Sequence, residues 1–156
     1  MHLQIKASLC SQCVAFLRQK VAQFDPRNLE YLRLYDRTGV TARKGVWGRC
    51  RYPSRKKKLG YRIRCCVSIA QFPNPVKWAV GTRRLDARRW EWVWREDQFR
   101  TLEEAFVWIA GHEAFHWLRH SRQIPGRNYE TQANRFGFAW LEEWRTLAAT
   151  SEGRVK

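Results

Sequence analysis

Between residues 37 and 85 there is not one aspartate or glutamate. The same 49 residues hold fourteen lysines and arginines, so almost all of the chain's net charge of +16 arises there. Residues 1–36 contribute +2, and residues 86–156 hold eleven basic and eleven acidic residues and are neutral. A segment with no anions of its own must find its counter-charge elsewhere. The commonest polyanion is a phosphate backbone, so DNA or RNA is the expected partner of Arg49, Arg51, Arg55, Lys56, Lys57, Lys58, Arg62 and Arg64. Trp47, Tyr52 and Tyr61 interleave with these cations and can stack on unpaired bases. A solvated loop with its aromatics in the core, an anionic membrane surface or an acidic protein would fit the same pattern.

Other shortages narrow the class. No apolar run approaches the length of a membrane span. The first twenty-five residues mix Gln, Lys, Cys and Arg among the apolar positions and form no uninterrupted apolar core of a signal peptide, which predicts an intracellular, cytoplasmic protein. The five cysteines, an odd number, then read as reduced thiols. Only Cys10 and Cys13 have Cys-x-x-Cys spacing, and buried or incidental thiols are favoured over a structural zinc on Cys10, Cys13, Cys50 and Cys65 or Cys66. Hydrophobic residues make up 44% of the chain, with nine tryptophans, which excludes disorder and fits one domain. That domain is expected over residues 1–150, with a basic loop or strand insertion around 37–64 and a frayed tail over 151–156.

Periodicity supplies the elements. Leu9, Cys13, Phe16, Leu17, Val21 and Phe24 predict an opening amphipathic helix over 9–24. Residues 29–35 form a strand or a helix extension, and 39–60, with four glycines and a proline, a loop or an irregular hairpin. Strands follow over 61–70, 76–82 and 90–94, the last with its tryptophans on one face as sheet packing. Thr101-Leu-Glu-Glu104 resembles a capping box opening a helix to about His120, and Pro125-Gly126 breaks the chain. Asn128 is the expected N-cap of a last helix reaching about Ala149.

Chemistry concentrates in His112-Glu113-Ala114-Phe115-His116. On a helix, residues four apart stand about 40° apart around the axis and one turn apart along it, so both imidazoles can reach one Zn²⁺. Glu113 projects beside them, placed to act as general base towards a water. A catalytic zinc wants a third protein ligand, and Glu130 on the following helix is the best-placed candidate. Asn134, one turn on, would hydrogen-bond the outer nitrogen of a ligand histidine. His120 lies about 12 Å along the axis from His112, too far for all three histidines to share an ion, and reads as a helix C-terminal residue favoured by the dipole.

His-Glu-x-x-His followed by a helix carrying Glu130-Thr-Gln-Ala-Asn134 resembles the gluzincin metallopeptidases. Within that clan, Glu-Thr-Gln-Ala-Asn-Arg-Phe-Gly-Phe-Ala is similar to the ImmA/IrrE-like and minigluzincin sequences, over about residues 101–145. The resemblance implies an α+β fold: a single small zincin-like domain with an N-terminal helix, a mainly antiparallel sheet, a metal-motif helix and a second ligand helix. It implies a zinc-dependent peptidase acting on a protein or peptide substrate, near nucleic acid if the basic segment binds one. SprT-like proteases share the size and basic character, but their third ligand is a downstream His, and none follows His120. In zincins an edge strand pairs with the substrate, and residues 90–94 are the adjacent candidate. Tyr129 and Arg127 lie near the site in sequence without a choice between them as oxyanion partner. The alternatives are a nucleic-acid-binding protein on a non-proteolytic scaffold and a zinc-stabilised interaction protein.

Overall fold

The computed structural model describes residues 2–36, 45–54, 56, 59–69 and 71–152. Its elements are β1 (His2–Lys6), α1 (Ser11–Ala22), β2 (Leu29–Asp36), β3 (Val46–Arg51), β4 (Tyr61–Val67), β5 (Asn74–Arg84), β6 (Trp90–Phe99), α2 (Leu102–His120) and α3 (Glu130–Glu152). The fold is α+β, as expected. Two details differ from expectation. A strand, β1, precedes the first helix, and the main sheet, ordered β1-β2-β4-β3, is mixed: β1 and β4 both run parallel to β2, and only β3–β4 is antiparallel. The cause is α1, a crossover helix that carries the chain back before β2 begins, which imposes parallel pairing on β1 and β2. β5 and β6 form a separate antiparallel ribbon.

The segment expected as a loop or irregular hairpin contributes a sheet strand. β3 pairs with β4 from Val46↔Val67 to Arg51↔Arg62, and a further bridge joins Ser54 to Leu59 near the turn. Alternation decides what each face carries: Leu32, Leu34, Ile63, Cys65 and Val67 face the core, where Phe16, Leu17 and Val21 of α1 and Phe106, Ile109 and Ala110 of α2 meet them.

Helix α2 is the axis of the core, with every residue from Glu104 to Leu118 buried, as befits a helix packed on all sides. Thr101 caps it, accepting from the Glu104 amide at 3.3 Å, while the Glu104 carboxylate returns to the Arg100 amide at 2.8 Å. Two glycines set how closely α3 crosses it. A Cβ on Gly137 would lie 2.7 Å from the Trp108 carbonyl oxygen, and one on Gly111 would lie 3.1 Å from the Gly137 Cα. Arg145 fastens the far end of α3, donating to both Asp97 oxygens (3.1 and 3.0 Å), to both Glu104 oxygens (3.0 and 2.8 Å) and to the Gln98 carbonyl (2.6 Å).

The tryptophan stripe of β6 does not pack as expected. Trp90, Trp92 and Trp94 are 61%, 57% and 52% exposed. A two-stranded ribbon has a core face and a free face, and these three fall on the free one, whereas Trp78 of β5 turns inward to stack on Trp108 at 4.4 Å. All five cysteines are free thiols. Cys10 caps α1 by accepting from the Cys13 amide at 3.4 Å. Among the described residues no helix is long and apolar enough to cross a membrane.

Candidate metal centre

His112 and His116 occupy successive turns of α2 and turn their Nε2 atoms to within 3.2 Å of each other. The close crossing at Gly111 and Gly137 brings the first residue of α3 against them. Glu130 Oε2 lies 3.3 Å from His112 Nε2, and Glu130 Oε1 lies 3.4 Å from His116 Nε2. Among the described residues this is the one group of three side chains whose geometry could hold a metal ion. Both rings are buried, while Glu130 stays open to solvent on its outer side.

Burial holds the His116 imidazole below its usual pKa, against the opposing bond from Asn128, so the ring is neutral near pH 7. Asn128 Oδ1 is 2.8 Å from His116 Nδ1; as the acceptor it places the ring hydrogen on Nδ1 and a lone pair on Nε2. Two imidazole nitrogens and a carboxylate thus converge where a cation would satisfy them. The Glu130 carboxyl is held below its ordinary range by the His112 bond first, against the opposing effect of burial.

Glu113 sits beside this group, buried under β3. A Cβ on Gly48 would lie 2.4 Å from Glu113 Cγ, so the glycine is the space the carboxylate occupies. Burial pushes the Glu113 carboxyl up to about 7, opposed by His112 and by the Cys50 backbone N–H, and reinforced by Glu130. Burial, with Glu113 nearby, also pushes the Cys50 thiol up to about 12, so it is a neutral wall of the site.

The group opens into a cleft of about 600 Å³. One wall is β3, an edge strand of the main sheet, and the opposite wall carries Trp78, Ala79 and Trp94. β3 and β6 are both edge strands of their sheets; β3 lines the cleft along Val46 to Cys50, whereas of residues 90–94 Trp94 alone lines it.

Other expectations are redistributed. Asn134 is buried in the cleft but donates to the Ala79 carbonyl at 2.7 Å, beside the bulge between Ala79 and Gly81, and makes no bond to a histidine. Its Oδ1 and His112 Nδ1 have no hydrogen-bond partner. The orienting role falls to Asn128, which is not a helix cap, because α3 begins at Glu130. Asn128 Nδ2 also donates to the Tyr52 hydroxyl at 2.9 Å. Tyr52 stacks on His120 at 4.0 Å, and His120 Nδ1 meets the Tyr61 hydroxyl at 2.7 Å. His120 thus ends α2, as expected, and also buttresses Tyr52. Arg127 donates to Tyr129 at 2.9 Å, and neither lines the cleft. Of the basic residues, Arg49 and Arg51 lie on β3, Arg62 and Arg64 on β4, and Lys56 in the turn, while Arg55, Lys57 and Lys58 lie outside the described residues.

Compared with protein-family models, curated proteins and solved structures, the chain matches none.

Proposed function

We propose that the chain is a zinc-dependent metallopeptidase of gluzincin type that acts on or near nucleic-acid-bound protein. What supports the metal's identity is the spacing of the donors. Ligands about 2.05 Å from a tetrahedral centre stand about 3.3 Å apart; the two imidazole Nε2 atoms are 3.2 Å apart, and separate oxygens of Glu130 lie 3.3 Å from His112 Nε2 and 3.4 Å from His116 Nε2. Zinc held there would supply Lewis-acid activation of a water and of the scissile carbonyl. Glu113 would serve as the base that takes a proton from a water as the water oxygen bonds to the carbonyl carbon, and would then deliver that proton to the amine nitrogen as the C–N bond breaks. The free edge of β3 pairs with an extended substrate backbone. Tyr52 lines the same cleft; its hydroxyl oxygen accepts from Asn128, leaving its own proton available to the carbonyl oxygen.

The convergence of His112, His116 and Glu130 beside Glu113 carries this reading. Its test is cleavage of an unfolded protein and of a DNA-bound protein by the zinc-loaded chain and by Glu113→Gln, with zinc per chain measured for both. Zinc retained by both and cleavage only by the parent is expected. Equal or absent cleavage by both refutes the enzyme. A second reading, a nucleic-acid-binding protein on a non-proteolytic scaffold, is favoured by the separation of a neutral metal half from a basic segment. Salt-dependent binding without turnover in any condition would select it.

A further inference from the structure

Three strands of the main sheet place their outward side chains in register, and the rows they form were not visible in the sequence. One row is Arg33, Arg64 and Arg49, from β2, β4 and β3. The next row towards the N-terminal end of β2 is Tyr31, Arg62 and Arg51. The row on the other side is Tyr35, Cys66 and Trp47, with the Tyr35 and Trp47 rings 5.7 Å apart, edge to face, and Cys66 fully buried. β1 extends the rows with Gln4 beside Arg33 and Lys6 beside Tyr35. Neighbouring positions are about 5 Å apart across strands and about 7 Å apart along them. The core and the helices occupy the opposite face.

This arrangement is costly for folding alone, because like charges directly opposite on a sheet repel. Among the described residues no carboxylate lies within ion-pair distance of Arg33, Arg49, Arg51 or Arg64. Glu30 accepts from the Gly60 amide and stands 3.9 Å from Arg62 Nε, too long for a hydrogen bond. Arg62 Nε has no hydrogen-bond partner. Neutral groups hold the arginines in place: Arg33 Nε donates to Gln4 at 2.7 Å with its guanidinium 4.7 Å from the Tyr31 ring, and Arg64 Nε donates to the Tyr31 hydroxyl at 3.2 Å. Among the described residues most of their other N–H groups meet no acceptor, and the planar fork suits phosphate oxygens. The rows carry aromatic rings but no aliphatic side chain to enter a bilayer.

We propose that this face binds a single-stranded nucleic acid, its phosphates on the arginine rows and an unpaired base stacked on the exposed Trp47. The proposal rests on the nucleic-acid half of the function above and identifies the surface and the form of the ligand. A duplex hides its base faces and leaves Trp47 unused, whereas a single strand engages Trp47 together with the arginines. Trp47 and Arg49 belong to the row set and also line the cleft. A strand bound here therefore lies against the cleft's rim.

The experiment is fluorescence anisotropy of the whole chain with labelled single-stranded DNA, single-stranded RNA and duplex DNA of one length, over a salt series, with anionic phospholipid vesicles as a separate arm. Single strands of either sugar should bind at least tenfold more tightly than the duplex. The combined Arg33→Ala, Arg49→Ala, Arg64→Ala variant should lower the slope of log affinity against log salt by about 2, for three phosphates lost at about 0.7 each. Trp47→Ala should weaken single-strand binding about tenfold or more and leave duplex binding unchanged. Arg49→Ala alone, on the sheet edge, serves if the triple variant does not fold, with a slope change of about 0.7. Lys57→Ala with Lys58→Ala is the control, in basic residues that belong to none of these rows. Equal affinity for duplex and single strand, or loss of binding in the Lys57→Ala, Lys58→Ala control with the sheet variants unaffected, overturns this face while nucleic-acid binding stands. Vesicle binding without oligonucleotide binding, or no oligonucleotide binding at low salt, overturns the face and the nucleic-acid half of the function together.

Discussion

Replacing Asn128 by alanine tests the metal centre at a residue whose importance only the fold makes visible. Asn128 holds His116 through a 2.8 Å bond to Nδ1, and through it fixes which nitrogen is free to ligate. Losing such an outer partner weakens metal affinity by about 10- to 100-fold. The consequence can be read as stability. At free zinc 100 times the parent's dissociation constant, binding stabilises the fold by about 2.7 kcal/mol. At the same zinc concentration Asn128→Ala would retain only about 0.4–1.4 kcal/mol. With about 3 °C per kcal/mol for a domain of this size, the zinc-induced rise in melting temperature falls from about 8 °C to about 1–4 °C. Thermal melts with and without zinc, beside a competition titration against a chelator, measure both quantities. Asn134→Ala is the contrast: its amide serves the Ala79 carbonyl, so it should lower the melting temperature of the zinc-free protein and leave zinc affinity near the parent's. Parent affinity in Asn128→Ala with loss in Asn134→Ala would refute the assignment.

Gly48→Ala should retain zinc but lose about 100-fold in turnover, because a methyl 2.4 Å from Glu113 Cγ displaces the base; parent turnover with zinc bound would contradict this. Gly137→Ala drives a Cβ to 2.7 Å from a backbone oxygen that cannot rotate away, and should cost about 1–3 kcal/mol in denaturant unfolding while weakening zinc binding by parting the two helices. Acid stability should depend on Asp97. Burial pushes its carboxyl up, but the Arg145 bonds and the Gln98 amide outweigh that and hold it below the ordinary 3.8. A carboxyl depressed in the folded state contributes stability that is complete above its unfolded pKa and is lost as the pH falls through its folded one. The melting temperature of the parent should therefore decline more steeply below about pH 4 than that of Asp97→Asn, and parallel profiles would rule the contribution out.

What the sequence showed plainly was whatever depends on short separations. Spacing within one helix put His112, Glu113 and His116 together, and Glu130 followed because only one turn-breaking loop separates the helices. The capping of α2 by Thr101 was legible for the same reason. Hidden features depend on which surfaces meet. Alternation placed Trp90, Trp92 and Trp94 on one face of a strand but could not say that no layer would cover that face. Asn128 stands two residues before Glu130, where the sequence reads it as a cap, and its bond to His116 follows from the way α3 crosses α2 at Gly111 and Gly137. Those glycines were readable as small residues within helical patterns, and nothing local said that they faced each other. β3 was obscured by its own composition, since a Gly- and Arg-rich stretch reads as a loop until a partner strand supplies the ladder.

That strand also explains how a neutral half and a basic half belong to one molecule. Period-two alternation gives β3 two unlike faces: Val46, Gly48 and Cys50 turn towards α2, and Trp47, Arg49 and Arg51 turn outward. The inward set must be small, because Glu113 occupies the space over Gly48 and the Cys50 amide donates to it. The outward set is under no such restriction and carries the charge. A one-residue slip in the pairing of β3 with β4 would exchange the faces, burying arginines against Glu113 and exposing the glycine. Register on this one strand thus shelters Glu113 and displays the cations at once. A substitution confined to the outward set should leave zinc binding intact, whereas one that shifts the register should abolish both properties together.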